Sequence, residues 1–288
     1  MRFLPAAAAC LLAAPFAAMA GDLKVSLSPG YTSGDYGSNV PTETFEAPLK
    51  IRYKEGPFRI SVRIPYLAVS GPRTAVPDLG VVGAPSNGRR RGGSVDTSGR
   101  GRGADDTATA ATTGGTGAGG TSMTSGLGDI GISGGVRVLG GGASDWFTLE
   151  LGGGTKLPTG DKSRGLGVGQ AGLSAQMTAT IDFSKSLSLE VTAGRFFRTR
   201  RDNDLQLRDY MFGNASLTYD ISPKLSVGAN IDVQERAVTG QTAVVEAGLF
   251  VEYEIAPNWK VGANIFKGFT RDSAAWGMGL LVSRRFSI

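Results

Sequence analysis

Two stretches of this chain carry the glycine spacing that lets a backbone approach a pyrophosphate: Gly126-Leu127-Gly128-Asp129-Ile130-Gly131 and Gly167-Val168-Gly169-Gln170-Ala171-Gly172. That chemistry needs a hydrophobic strand before the turn and a helix after it, so that the helix N-terminus meets the anion. Neither stretch has that context, and with 44 glycines in 288 residues such matches arise by chance. Glycine here serves strand bends and close backbone approach instead. The residue types behind most other site chemistry are missing. The chain has no histidine, which removes the commonest general base and the commonest metal ligand together. Its one cysteine, Cys10, falls in an N-terminal leader, so disulfides, thiolate metal sites and cysteine nucleophiles drop out. Membrane-embedded lipases, proteases and lipid A-modifying barrels rely on a histidine base, so no enzymatic activity, cofactor or metal is expected.

The charged side chains that remain are candidates for a different task. Lys50, Arg52, Arg59 and Arg63 lie in one region of the chain; Asp220, Asp232, Glu246, Glu252 and Glu254 lie in another. Each occupies the polar phase of an alternating segment. If those segments close into a ring of about twelve strands, the two groups stand roughly opposite one another inside it, where they would set up a transverse field selecting polar or charged solutes. The other outcome is that they pair across a narrow lumen and close it. A ring of that size falls between barrels filled by side chains and open porins.

The elements that must position these residues are strands. From Gly172 onward the chain alternates with a period of two, which a helix cannot do. Ala171, Leu173, Ala175, Met177, Ala179, Ile181 and Phe183 alternate with Gly172, Ser174, Gln176, Thr178, Thr180 and Asp182. The same pattern returns from Leu187, Met211, Leu225, Val245, Trp259 and Trp276. The first half gives weaker runs at Leu23 to Tyr31, Phe45 to Tyr53, Phe58 to Tyr66, Ile130 to Val138 and Phe147 to Leu157. Tight turns such as Ser184-Lys185-Ser186, Ser222-Pro223-Lys224 and Ala256-Pro257-Asn258 alternate with longer polar joints. The fold class read from this is all-β: a transmembrane antiparallel up-and-down β-barrel of about twelve strands, both termini on the periplasmic side.

Aromatic position separates a lipid-facing barrel from a soluble sandwich. Tyr53, Phe58, Phe147, Phe183, Tyr219, Tyr253, Trp259 and Phe286 are predicted near the periplasmic ends of strands, and Tyr31, Phe45, Tyr66, Phe197, Phe269 and Trp276 near the outer ends. All are on the apolar face. Arg195, Asp209, Glu235, Lys267 and Arg284 share that face but also sit near strand ends, where a charge costs about 0–1 kcal/mol rather than the roughly 2–4 of the midplane.

The N-terminal twenty residues read as a cleaved signal peptide: Arg2, an apolar stretch from Phe3 to Ala17, and Ala18-Met19-Ala20 before Gly21. Export of this kind argues against a nucleic-acid partner despite the net charge of +5. Residues 21–288 are then expected to form one barrel domain in the outer membrane of a Gram-negative bacterium, in contact with its lipid and lipopolysaccharide. Gly279 and the alternation to Phe286 and Ile288 resemble the terminal signal read by the barrel-assembly machinery, with Ile288 where Phe is usual. Between Gly71 and Ser125 nothing alternates, and Arg89-Arg90-Arg91, Arg100 and Arg102 stand among Gly, Ser, Thr and Ala. This segment is read as a largely disordered surface loop whose arginines would meet lipopolysaccharide phosphates or fold inward.

Three motifs occur in order: Gly126-Leu127-Gly128-Asp129-Ile130 opening one strand, Lys156-Leu157-Pro158-Thr159-Gly160-Asp161 closing the next, and Gly165-Leu166-Gly167-Val168-Gly169 opening the one after. Together they resemble the outer-membrane "transporter" family labelled for the meta pathway of phenol degradation. The resemblance implies a small barrel and passage of aromatic or other hydrophobic compounds. The function expected is passive passage of small solutes; the alternative is a structural or adhesive barrel acting through its long loop.

Overall fold

The computed structural model of the chain describes residues 21–36, 41–71, 76–77, 107–108, 123–142, 145–199, 207–237 and 241–288. The leader and most of the segment between Gly71 and Ser125 lie outside the described residues. Antiparallel strands dominate: β1 (Asp22–Leu27), β2 (Gly30–Gly34), β3 (Thr42–Glu55), β4 (Phe58–Ser70), β5 (Val76–Pro77), β6 (Thr107–Ala108), β7 (Thr124–Leu127) and β8 (Ile130–Leu139). They continue with β9 (Phe147–Leu157), β10 (Gly172–Asp182), β11 (Leu187–Arg198), β12 (Tyr210–Ser222), β13 (Leu225–Gln234), β14 (Val244–Ala256), β15 (Trp259–Gly268) and β16 (Trp276–Ser287). β5 and β6 pair only with each other; the other fourteen form one sheet.

That sheet closes on itself. β1 pairs with β16 from Asp22–Ser287 to Leu27–Val282. The seam is tied at its very end, where Gly21 N–H donates to Ile288 O at 3.0 Å and Ile288 N–H to Gly21 O at 2.9 Å. Closure leaves no edge, the condition under which strands can cross hydrocarbon. Two staves of the ring are broken: β1 and β2 share neighbours across Ser28-Pro29, and β7 and β8 both pair with β4 across Gly128-Asp129, so the barrel has twelve staves.

Side chains sort by parity as alternation requires. Along β10 the even positions Ser174, Gln176, Thr178 and Thr180 are buried, while Leu173 and Met177 are exposed. Exposed apolar side chains, among them Ile60, Leu151, Leu217, Leu249, Ile265 and Leu280, form the outer surface. Rings crowd its ends: Phe58, Phe183, Tyr219 and Tyr253 beside the short turns, and Phe45, Tyr66, Phe197, Phe269 and Trp276 at the other end. Trp146 belongs to the first set and was not anticipated.

The turns explain their end of the barrel. Gly56, at φ +53°, makes the two-residue link between Glu55 and Phe58 with Pro57. Ser184 and Ser222 hydroxyls accept amides two and three residues on, closing their turns locally. Two of the acidic residues on the outer face also have local work. Asp209 accepts from Arg198 N–H at 2.9 Å and Glu235 from Met211 N–H at 2.9 Å, so each satisfies a strand-end amide.

Three local expectations are corrected. Leu23 to Tyr31 is not one continuous strand, because Pro29 cannot donate to the ladder. Gly126 to Ile130 does not simply open a strand: it contains the break between β7 and β8. Gly165 to Gly169 is not strand at all, since β10 begins only at Gly172. The segment read as an unstructured loop also gives Thr124 and Ser125 to β7 and holds the short β5–β6 pairing.

Candidate functional site: a charged lumen with a narrowed outer mouth

The basic candidates Lys50, Arg52, Arg59 and Arg63 point inward from β3 and β4 and are all buried. Register places Lys50 beside Arg63, and Lys24 of β1 beside Arg52. Asp232, Glu246 and Glu252 are buried on β13 and β14, while Asp220 and Glu254 are half-buried near the short-turn ends of β12 and β14. The ring order sets β3 and β4 half a circumference from β12 and β13. The two walls thus carry charge of opposite sign.

Each wall also has compensating groups close by. Arg59 is ion-paired with Glu150 of β9, and Arg63 with Glu46 of β3. Neither carboxylate was among the candidates, though both lie on the inward parity of their strands and parity alone would have exposed them. On the acidic side, the Asp232 carboxylate accepts from Asn214 Nδ2 at 2.6 Å and Asn230 Nδ2 at 2.5 Å. Asp220 accepts from Ser226 Oγ at 2.6 Å. Glu252 lies 3.9 Å from Lys260 Nζ. Arg59 and Arg63 on the basic wall, and Asp220, Asp232 and Glu252 on the acidic one, are thus each engaged by a side chain on their own or a nearby strand.

The Arg59–Glu150 pair rests over Gly135, where a Cβ would overlap the carboxylate. Its two side chains are only 5% and 7% exposed. Replacing Glu150 with glutamine should strip a buried guanidinium of this carboxylate and cost up to about 3–5 kcal/mol, whereas R59M/E150L, which removes both charges, should lie closer to the wild type. Urea titration of the refolded barrel in micelles checks this.

The outer mouth is where the sequence reading fell short. The connection from β9 to β10, residues 158–171, turns into the barrel and buries Leu166 and Val168, which are 1% and 2% exposed. One side chain ties this connection down. Asp129, in the break between β7 and β8, accepts from Gly160 N–H at 2.8 Å through Oδ1 and from Val168 N–H at 3.2 Å through Oδ2, and Lys156 Nζ lies 3.4 Å away. Thr159 completes the join: its hydroxyl donates to Gly128 O at 3.0 Å and accepts from Ile130 N–H at 2.9 Å.

The glycines of these motifs leave the room that this packing needs. A Cβ on Gly126 or Gly128 would stand 2.8 Å from Leu166 Cδ1 or Leu67 Cδ1 respectively, and one on Gly167 would strike Asp129 and Gly160. Asp161 caps a single 3-10 turn, Lys162–Arg164, that ends on left-handed Gly165 at φ +72°. Hydrogen bonds from Ser163 Oγ and from the Ser163 and Arg164 amides hold the Asp161 carboxyl below its ordinary range. Of the motif residues, Asp129, Lys156, Thr159, Gly160 and Asp161, with the room left by Gly126 and Gly128 and the Ile130 amide, build a latch on an inward-folded loop, whereas Leu127 is exposed on the outer surface and the Leu157 and Pro158 side chains take no part in these bonds.

A second loop folds in from the opposite side. Between β15 and β16, Ala274 is fully buried and its N–H donates to Glu246 Oε1 at 3.0 Å. Asp272 accepts from Thr242 N–H at 2.6 Å, and Ser273 Oγ accepts from Val245 N–H at 3.0 Å. Glu246, picked out for its charge, is therefore also an anchor for this loop. Between the two loops lies an apolar cluster of Phe196, Tyr210, Phe212 and Ala237, with Phe196 and Tyr210 stacked at 5.3 Å.

Inward rings recur beyond that cluster. Phe212 lies over Gly194, Phe250 over Gly228, and Phe266 over Gly277, each directly across a strand pair, while Phe196 covers Gly172 diagonally. A glycine in a strand lacks a side chain to pack, and a neighbouring ring laid over it restores the contact. The sequence signal is an aromatic residue in the polar phase of a strand, opposite a glycine.

The family model described as "Putative MetA-pathway of phenol degradation" matches residues 93–286, more than half of the chain. The chain belongs to this family. Its latch motifs and nine of its twelve staves, from β7 onward, fall within or overlap the matched region. Among curated proteins no sequence matches significantly. Solved structures resemble it in fold. The COG4313 outer membrane channel from Pseudomonas putida F1 aligns with a TM-score of 0.62 at 12% identity, covering 95% of this chain and 99% of that one. The NanC porin aligns at 0.52 and 10% identity over 92% and 100% of the two chains, and the KdgM porin at 0.50 and 8% over 92% and 99%. This family member has the architecture of outer-membrane channels and the exterior of a protein seated in that membrane.

Proposed function

We propose that the protein is a narrow passive channel for small solutes, with oppositely charged walls in its lumen and an outer mouth narrowed by the Asp129- and Glu246-anchored loops. One observation carries this reading: a closed barrel with a lipid-compatible exterior turns a basic wall on β3–β4 toward an acidic wall on β12–β14. Charges in a lumen cost desolvation unless water or a solute shares the space, and a fixed transverse field selects what passes. The aromatic residues lining the outer half, with Leu67, Leu166 and Val168, suit small solutes that carry an apolar or aromatic part. The family description, which names phenol degradation, supports the same class. Lipopolysaccharide around the outer rim and the assembly machinery acting on β16 complete the expected partners.

Ion selectivity tests the proposal. In a salt gradient across a bilayer, neutralising Lys50 and Arg52 should move the reversal potential toward cation preference. Neutralising Asp232 and Glu252 should move it toward anion preference. If neither pair shifts it, the charged walls do not line the conduction path.

A further inference from the structure

The lipid-facing charges at strand ends are not equivalent. Asp209 and Glu235 satisfy backbone amides, but Arg284 does something else. It lies on the outward parity of β16, paired with Val25 on one side and Trp259 on the other. Its guanidinium sits between two rings, 5.2 Å from the centroid of Trp259 and 4.6 Å from that of Phe286. Among the described residues, those ring contacts are the interactions its head group makes. Of the nearby carboxylates, Glu55 is engaged by Tyr53 Oη at 2.9 Å, and Asp22 belongs to the inward phase of β1.

The depth of this group follows from register. Trp259 is the first residue of β15 after the Pro257-Asn258 turn, so Arg284 stands at the short-turn rim, where a barrel meets headgroups of the periplasmic leaflet. One step toward the midplane, Val261, Val282 and Leu27 form a continuous outward apolar row. A guanidinium stacked between rings keeps its flat face covered and its N–H fork free for a planar pair of acceptor oxygens. At that depth the acceptor on hand is the phosphodiester of a phospholipid, which Arg binds through two parallel N–H···O bonds.

We propose that Arg284, Trp259 and Phe286 form a binding site for one phospholipid of the periplasmic leaflet, its phosphate on the guanidinium and its acyl chains along Val261, Val282 and Leu27. The site is independent of conduction through the lumen. Its occupant also tethers β16 to β15 and β1 at the seam where the barrel closes.

Native mass spectrometry of the refolded, detergent-solubilised barrel tests this, with phosphatidylglycerol, phosphatidylethanolamine and phosphate-free diacylglycerol as probes. The wild type should retain one phospholipid of either kind under activation that strips the rest, and should not retain diacylglycerol. R284Q should weaken retention roughly tenfold, the loss of about one charged hydrogen-bonded contact. R284K, which keeps the charge without the fork, should fall between, and K185Q, which removes a cation from the Ser184-Lys185-Ser186 turn at the same rim, should behave as wild type. Heat-modifiable gel mobility reports folding. If R284Q does not fold, W259L serves in its place, with weakened retention expected. Unchanged retention in whichever variant folds, equal retention of diacylglycerol, or an equal loss in K185Q would overturn the proposal.

Discussion

Alanine in place of Asp129 should free the 158–171 loop and make the folded barrel at least roughly tenfold more susceptible to trypsin after Lys162 and Arg164. The reasoning is local. One carboxylate satisfies the amides of Gly160 and Val168 and lies beside Lys156 Nζ, and it is buried, with its side chain wholly withdrawn from solvent. A hydrogen bond to a charged group contributes about 1.5–3 kcal/mol, and 1.4 kcal/mol is a factor of ten in an equilibrium. Losing two such bonds offsets only in part what one leucine and one valine gain by staying buried, about 1.5–3 kcal/mol each. The loop should therefore sample open states often rather than leave altogether. Limited proteolysis of the heat-modifiable species measures it; an unchanged cleavage rate would mean that packing of Leu166 alone seats the loop.

The second large effect concerns glycine under a ring. A Cβ at Gly172 would overlap Phe196, whose ring is hemmed by Tyr210 at 5.3 Å and by the Arg198 guanidinium at 5.6 Å. Gly172→Ala should thus destabilise the barrel by about 1–3 kcal/mol, the usual cost of overpacking. Phe196→Ala alone should cost about 3–5 kcal/mol through the cavity it opens. In the double variant the methyl has no ring to strike, so the combined loss should fall short of additivity by about 0.5–3 kcal/mol. Denaturant titrations of the four proteins give the coupling. Strict additivity would show that the ring swings aside at no cost and that the pairing is incidental.

The two effects mark where the sequence was readable. Alternation revealed the barrel because a pleated wall between lipid and lumen forces a period of two on every stave, as along Leu173 to Asp182. It also revealed which charges face inward, since parity alone decides that. It did not reveal what those charges touch: Glu46 and Glu150 were passed over although they share the inward phase with Arg63 and Arg59. Gly165 to Gly169 looked like the start of a strand because Leu166 and Val168 alternate with glycines. Their burial comes from Asp129, more than thirty-five residues earlier, and a carboxylate gathering loop amides leaves no period in a sequence. The inward rings were visible as aromatics out of phase, but only the cross-strand register showed a glycine beneath each one.

The claim on which everything turns is that the lumen connects the two sides of the membrane. Single-channel recording of the purified barrel in planar bilayers addresses it most directly. The structure predicts small, discrete openings in the wild type and larger or longer ones when Asp129 is replaced by alanine. A folded, inserted barrel that stays silent with the Asp129 latch both present and removed would contradict it.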